Sequence, residues 1–125
     1  FRLMPDQKVE KVQEMLRKHL DKHGFSDIEM QLLTGYAPSR TPVNSPFIKL
    51  LTCLAKNFSG KDAVLIPSSQ GSGPAYLFGP YTPWASCSTF DPETNIHAPN
   101  ESIRLNDFKH MTAFIGAIAT EVGKI

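Results

Sequence analysis

An apolar run followed by a turn of small residues decides the fold class: Ala63-Val64-Leu65-Ile66-Pro67, then Ser68-Ser69-Gln70-Gly71-Ser72-Gly73-Pro74. A short apolar run bounded by Asp62 and Pro67 is typical of a strand buried on both faces of an α/β sheet. In open α/β sheets, ligands bind beyond the carboxyl ends of the strands, where this turn lies. The stretch therefore predicts an α/β fold with a binding loop at residues 68–74.

Three amphipathic helices are predicted around that strand. The first is capped by Asp6 and ends at Gly24, and its apolar stripe consists of Val9, Val12, Leu16 and Leu20, with Met15 beside it. The second begins at the Ser45-Pro46 pair and closes at residues 57–60. The last is capped by Asn106 and closed by Gly123, and its inward-facing residues are predicted to be Phe108, Met111, Ala113, Ile115, Ile118, Ala119 and Val122. Further strands are expected at residues 1–4, 28–33 and 84–90.

A proline-rich segment at residues 35–46 predicts a domain boundary, because three prolines and a glycine disfavour both a helix and a strand ladder. Residues 1–40 then form a strand-helix-strand α+β portion, and residues 41–125 form the α/β sheet portion. The chain opens on the strand-like Phe1-Arg2-Leu3-Met4-Pro5 with no lead-in, so we expect it to be part of a longer protein.

Composition excludes several classes of function. The 125 residues are 41% apolar, enough for a packed core, and the formal charge of +1 provides no net field to attract nucleic acid or anionic lipid. No apolar run approaches the ~20 residues that cross a bilayer. Two cysteines make neither a disulfide framework nor a four-thiolate zinc site, so a reduced, cytoplasmic location is expected, with Cys53 in the core.

Two loops contain residues that could carry chemistry. Residues 95–101 place His97, Asn100 and Glu101 close together, which suits either a metal-site corner or, more commonly, a hydrogen-bonded surface histidine. The turn at residues 70–74 fits neither a nucleophile elbow nor a phosphate loop, but its backbone N–H groups and hydroxyl could form a concavity for a carboxylate, or simply a turn. The pair His19 and His23, one helical turn apart, is interpreted as cationic groups complementing the helix dipole rather than as a metal clamp.

Three stretches together resemble a known family. They are Phe1-Arg2-Leu3-Met4-Pro5-Asp6-Gln7, Gly71-Ser72-Gly73-Pro74 and Asn95-Ile96-His97-Ala98-Pro99-Asn100-Glu101. In this order and spacing the chain resembles the carboxy-terminal part of the co-catalytic zinc metallopeptidases. That family includes aminoacylase, carnosine dipeptidase, glutamate carboxypeptidase, acetylornithine deacetylase and succinyl-diaminopimelate desuccinylase. The resemblance runs over nearly the whole chain, and the His-Ala-Pro-Asn-Glu run is its most specific part.

The resemblance implies a role for each matching residue. Residues 1–40 would be the end of an inserted lid and dimerisation domain, and residues 41–125 the returning part of the catalytic domain. His97 would be a zinc ligand, with Asn100 and Glu101 fixing its loop. Arg2, Gly71, Ser72 and Gly73 would hold the free carboxylate of the substrate. Such sites contain two zinc ions, and this chain would supply at most one ligand, since the other ligands and the general base match no residue of it.

The expected function is therefore that of a segment of a zinc-dependent amidohydrolase, inactive by itself. The full-length enzyme would hydrolyse the amide bond of a dipeptide or N-acyl amino acid with a free carboxylate, as a homodimer that engages neither nucleic acid nor membrane. The alternative is a non-enzymatic dimerisation or peptide-binding module derived from the same fold. Zinc motifs upstream of Phe1 would favour the enzyme, and their absence would favour the module.

Overall fold

A computed structural model describes residues 1–67, 71–89 and 91–125, and its regular elements in these ranges are helical. The helices are α1 (Val9–Lys22), α2 (Pro46–Ser59), α3 (Ala75–Phe78) and α4 (Leu105–Glu121), followed by a 3₁₀ turn at Val122–Lys124. The sequence predicts α1, α2 and α4, whereas the single-turn α3 was not expected. Among the described residues, no helix is both long enough and apolar enough to cross a membrane.

The chain divides into two compact units. One comprises Phe1–Arg40 and Ser69–Trp84, and the other comprises Thr41–Ser68 and Ala85–Ile125. The division of the chain into a lid part at residues 1–40 and a catalytic part at residues 41–125 stays a prediction. Contacts define a compact unit, but they do not show which domain of a longer protein that unit belongs to.

The predicted α/β sheet does not form within the described parts of the chain. Residues 1–4, 28–33, 63–66 and 84–89 pair with no neighbouring strand there, and Phe90 lies outside the described residues. Their apolar side chains stay in solvent: Leu33 is 85% exposed, Val64 87% and Ile66 76%. An apolar run indicates that a segment tends to be buried, but a strand also needs a partner that accepts and donates its backbone hydrogen bonds. The described residues provide no such partner, so the sheet in the predicted fold class is corrected to unpaired segments.

Helix α1 has the predicted amphipathic character, with a different start. Val9, Val12, Leu16 and Leu20 are partly buried, and Met15 is exposed. The helix begins after Lys8, which provides no side-chain cap, so the expected capping by Asp6 is wrong. The following segment lies close to the helix at one point, where a Cβ on Gly35 would fall 2.6 Å from Val9 Cγ1. A larger residue at position 35 would therefore force the Val9 side chain to move.

The exposed face of α1 contains a small network of charges. Glu14 accepts hydrogen bonds from Lys18 at 2.6 Å and from Lys11 at 3.0 Å. The two ammonium groups, Lys18 first, lower the pKa of Glu14 from 4.5 to about 2. Arg17 instead donates to the Phe25 and Ile28 carbonyls, at 2.9 and 2.6 Å, and so ties the segment after α1 to the helix.

Helices α2 and α4 form the buried core of the second unit. Helix α2 follows the prediction closely: the Ser45 hydroxyl accepts from the Ile48 amide at 3.3 Å, Pro46 occupies the first turn, and Gly60 ends the helix with a φ of 70°. Its buried residues Ile48 and Leu51 pack with Phe114 of α4. Cys53 lies on the outer side of α2 and is exposed, so its assignment to the core is wrong.

The face that α4 buries differs from the predicted one. Phe114 is buried, with Met111 and Ile118 partly buried beside it, and the Phe58 ring packs edge-on against the Phe114 ring at 5.7 Å. Five residues expected inside are exposed: Phe108 at 56%, Ile115 at 58%, Val122 at 40%, and the alanines Ala113 and Ala119. Helix α4 carries apolar residues on both faces, so periodicity alone could not select the face that meets α2. The helix begins at Leu105 after Arg104 with no side-chain cap, so the expected capping by Asn106 is wrong, and the 3₁₀ turn that follows contains Gly123, so that glycine does not close the helix.

Candidate functional site

Arg2 and Ser72 are brought together although they are 70 positions apart. The Arg2 guanidinium donates a hydrogen bond from Nη1 to the Ser72 hydroxyl, and both residues are exposed in the same compact unit. The backbone just after Arg2 is fixed by a turn, in which the Gln7 amide donates to the Met4 carbonyl at 2.9 Å and the Met4 amide donates to Gln7 Oε1 at 2.8 Å. The pair thus presents a guanidinium fork and a hydroxyl side by side at the surface.

The turn that contains Ser72 is only partly described. Residues 68–70 lie outside the described residues, and Gly71, Ser72 and Gly73 are exposed. A Cβ added to Gly73 would meet no atom within 4 Å, so space around the turn does not require a glycine there. Gly71 and Gly73 are predicted to offer their backbone N–H groups to the substrate carboxylate, and this role stays a prediction.

His97 lies at the exposed tip of a closed loop that joins residue 91 to α4. The Ser102 amide donates to the Thr94 carbonyl at 3.0 Å and closes the loop, and the Ala98 amide donates to the Asn95 carbonyl at 2.9 Å and forms a turn around His97. His97 has a φ of 60°, in the left-handed region that only a few per cent of non-glycine residues adopt, histidine more often than most. The loop backbone therefore holds the histidine in a specific, uncommon conformation.

The base of this loop is fixed by Asp91, Thr94 and Arg104. The Thr94 hydroxyl, on a residue only 5% exposed, accepts from the Asp91 amide at 3.1 Å and donates to Asp91 Oδ1 at 3.3 Å. Arg104 reaches the other Asp91 oxygen at 2.5 Å and Asp107 in the first turn of α4 at 2.6 Å. The hydrogen bond to Asp107, followed by the charges of Asp107 and Asp91, raises the pKa of Arg104. These contacts join the loop to the start of α4.

Glu101 and Asn100 were expected to orient His97, and only Glu101 forms a hydrogen bond with it in the described structure. The His97 backbone amide donates to Glu101 Oε2 at 3.4 Å, so Glu101 contacts the histidine through its main chain and not through the imidazole. Asn100 is exposed and has a φ of 62°, and the structure describes no hydrogen bond from its side chain to the His97 ring. Both residues shape the loop, and their effect on the imidazole stays a prediction.

A complete zinc site is not formed by the described side chains. In residues 1–67, 71–89 and 91–125, no three histidine, cysteine, aspartate or glutamate side chains converge on a common point. The His19 and His23 rings lie 4.4 Å apart, but they remain a pair. Structural and catalytic zinc needs three or four protein ligands. His97 could therefore supply at most one ligand to a site completed by residues from elsewhere.

The contacts at the base of the His97 loop were not anticipated from the sequence. The spacing Asp91-Pro92-Glu93-Thr94 could have indicated them, because aspartate and threonine side chains commonly bond to backbone groups two or three residues away. The Glu93 amide does donate to Asp91 Oδ1, at 2.8 Å. The ion pair between Arg104 and Asp91 has no comparable local signal.

One solved structure resembles the chain over most of its length. It is an M20 family metallo-carboxypeptidase from Sulfolobus solfataricus, with a TM-score of 0.71 and 35% sequence identity over 90% of this chain. This similarity supports the M20 peptidase family. The chain spans only 28% of the length of that M20 protein. No family profile and no curated protein matches the sequence.

Proposed function

We propose that the chain is the carboxy-terminal portion of a zinc-dependent M20 metallopeptidase or amidohydrolase. Its substrates are dipeptides or N-acyl amino acids with a free carboxylate, the class that the sequence resemblance to carnosine dipeptidase and aminoacylase implies. The observation that carries the proposal is the 35% identity to part of an M20 metallo-carboxypeptidase. In this proposal, residues 1–40 end the lid and dimerisation domain, and residues 41–125 return to the catalytic domain.

Arg2 and Ser72 bind the substrate carboxylate in this proposal. A guanidinium presents parallel N–H donors that match the two oxygens of a carboxylate, and hydrogen bonds between charged partners are the strong ones. The contact of Arg2 with the Ser72 hydroxyl supports this role, because it places a charged donor beside a neutral one in the same unit. Neither residue uses a carboxylate partner of its own among the described side chains, so both donors can face a ligand.

His97 supplies one zinc ligand in this proposal, and the remaining ligands come from outside the chain. The closed loop, fixed at Thr94 and Arg104, supports this role because a metal ligand must be held in one orientation. When bound, zinc in such enzymes polarises the scissile carbonyl and activates water. Because the resemblance matches no other residue of this sequence to a zinc ligand or to the general base, we propose that the chain is inactive by itself.

The experiment is a comparison of free and amidated substrates in the full-length gene product. Arg2→Ala and Ser72→Ala should lower kcat/KM for the free acid of an N-acyl amino acid by about 30-fold, the equivalent of about 2 kcal/mol for a lost charge-assisted hydrogen bond. The amide of the same substrate lacks the charge, so its turnover should hardly change. Lys22→Ala, which removes an exposed cation from the end of α1, is the matched control.

Two outcomes would refute the proposal. Equal discrimination between acid and amide by wild type and Arg2→Ala would remove the carboxylate role from Arg2. A full-length product that binds no zinc and cleaves no amide would favour the alternative, a non-enzymatic dimerisation or peptide-binding module.

A further inference from the structure

A second surface feature, separate from the Arg2–Ser72 pair, lies in the same compact unit. It is a cleft of about 240 Å³ between residues 37–40 and the segment around α3, and its walls include Pro38, Ser39, Arg40, Tyr76, Gly79 and Pro80. The Tyr36 and Tyr76 rings stack at 4.6 Å with an interplanar angle of 14°, which joins the two segments at one side. The cleft is therefore built from two stretches that are distant in sequence but in direct contact.

Gly79 allows the closest approach of the two walls. A Cβ at this position would overlap Ser39 Oγ and would lie 2.9 Å from the Ala75 carbonyl oxygen. Atoms cannot coexist at such distances, so any larger residue would displace Ser39 from the cleft wall. The local packing thus selects a glycine at the point where the Ser39 hydroxyl meets α3.

The cleft contains two side-chain hydrogen-bond donors that have no acceptor among the described residues. In the described ranges, neither the Arg40 guanidinium nor the Ser39 hydroxyl forms a hydrogen bond or an ion pair. The arginines in the helical regions behave differently: Arg17 pairs with Asp21, and Arg104 pairs with Asp91 and Asp107. A guanidinium in a cleft beside a hydroxyl, with apolar walls of proline and tyrosine, has the composition of a binding site for an anion with an apolar part.

We propose that this cleft binds a monocarboxylate that carries a small apolar group. One guanidinium supplies a single positive charge and a fork suited to two carboxylate oxygens, so it neutralises a monocarboxylate in full but would leave a phosphate dianion with a net negative charge beside the apolar walls. The Ser39 hydroxyl donates to the same group, and the Tyr76 ring with Pro80 contacts the apolar part. The volume is below the usual 300–1,000 Å³ of complete small-molecule sites, so the ligand is the size of one amino-acid side chain.

The proposal is tested by ligand-observed NMR with benzoate on the 125-residue chain, a measurement that works for monomers and assemblies alike. Saturable binding of benzoate is expected, whereas benzamide, a neutral compound of the same shape, and inorganic phosphate should bind at least about tenfold more weakly. At the cleft, Arg40→Gln should weaken benzoate binding by about tenfold or more. Arg40→Lys should recover part of the loss, because it restores the charge without the fork.

Arg2→Gln separates this site from the proposed substrate site. Benzoate can also occupy the Arg2–Ser72 pair, so binding to the cleft is measured in the Arg2→Gln background, where saturable binding should remain and should be lost on the further change Arg40→Gln. If Arg2→Gln abolishes binding and Arg40→Gln does not, the ligand occupies the Arg2–Ser72 pair and the cleft proposal is wrong, while the proposed function stands. Equal binding of benzoate and benzamide, or no saturable binding of benzoate, would also overturn it. Arg40 is exposed and unpaired in the described structure, so its replacement should not unfold the chain.

Discussion

Replacement of Thr94 by valine should loosen the loop that presents His97. Valine keeps the shape of threonine but removes the hydroxyl that accepts from the Asp91 amide at 3.1 Å and donates to the Asp91 carboxylate. Thr94 is 5% exposed, so water cannot take the place of the missing hydroxyl in the valine variant. Asp91 is only half-buried, so its amide can regain part of its hydration. Leaving a buried donor unsatisfied costs about 1–3 kcal/mol, and the partial access of water places the expected loss at about 1–2 kcal/mol.

The matched control is Thr112→Val on α4. The Thr112 hydroxyl donates to the Phe108 carbonyl at 2.8 Å on an exposed face, so its loss should change stability by no more than about 0.5 kcal/mol. Urea unfolding measures the two free energies, and hydrogen exchange reports the loop directly, through the amides of Asp91 and Ser102. Both amides should exchange faster in Thr94→Val and normally in Thr112→Val. If Thr94→Val costs no more than the control and exchange at Asp91 is unchanged, this hydrogen-bond pair does not hold the loop.

Three further perturbations test the packing and the charges. Phe114→Ala should cost about 3–5 kcal/mol in urea unfolding because it empties the centre of the α2–α4 core, whereas Phe108→Ala, at a position 56% exposed, should cost about 1 kcal/mol or less. Equal losses would mean that the buried face of α4 is misassigned. Gly116→Ala should add about 0.5–1 kcal/mol of stability, since an added Cβ meets no atom within 4 Å in the helix, and a loss would contradict that open position. Glu14 should titrate with a pKa of about 2 by NMR, so its ion pairs should stabilise the fold above pH 4.5 and lose that effect as the pH falls from 4.5 toward 2. Lys18→Gln should raise the pKa of Glu14, and a wild-type Glu14 that titrates at 4.5 would exclude the ion pairs.

The sequence was most informative where local rules suffice. The bounds of α2 follow from a serine cap, a proline in the first turn and a glycine after the last turn, and each of these acts within a few residues. Helix α1 is similarly evident from its apolar stripe. Its start was misplaced because Asp6 is a good capping residue by type, and the chain between Asp6 and Val9 instead forms a turn at residues 4–7.

Long-range features could not be predicted from local patterns. Segment 63–66 has the composition of a buried strand, but whether it becomes one depends on partners that no local pattern specifies, and Val64 stays 87% exposed. The candidate site also combines features set by local sequence with features set by distant residues. The loop position of His97 is evident from its sequence neighbours, whereas the ion pair of Arg104 with Asp91 depends on the closing of the loop over thirteen positions.

The most direct test of the central proposal is zinc analysis of the full-length gene product with His97→Ala. The variant should lose one zinc ion and nearly all amidase activity while it keeps its fold, because His97 lies at an exposed loop tip and contributes nothing to the core. His110→Ala, which removes an exposed histidine from α4, should keep both the metal content and the activity of wild type. A His97→Ala protein that retains its full zinc content with near-normal turnover would contradict the assignment of His97 as a ligand and, with it, the proposed place of this loop in a metallopeptidase site.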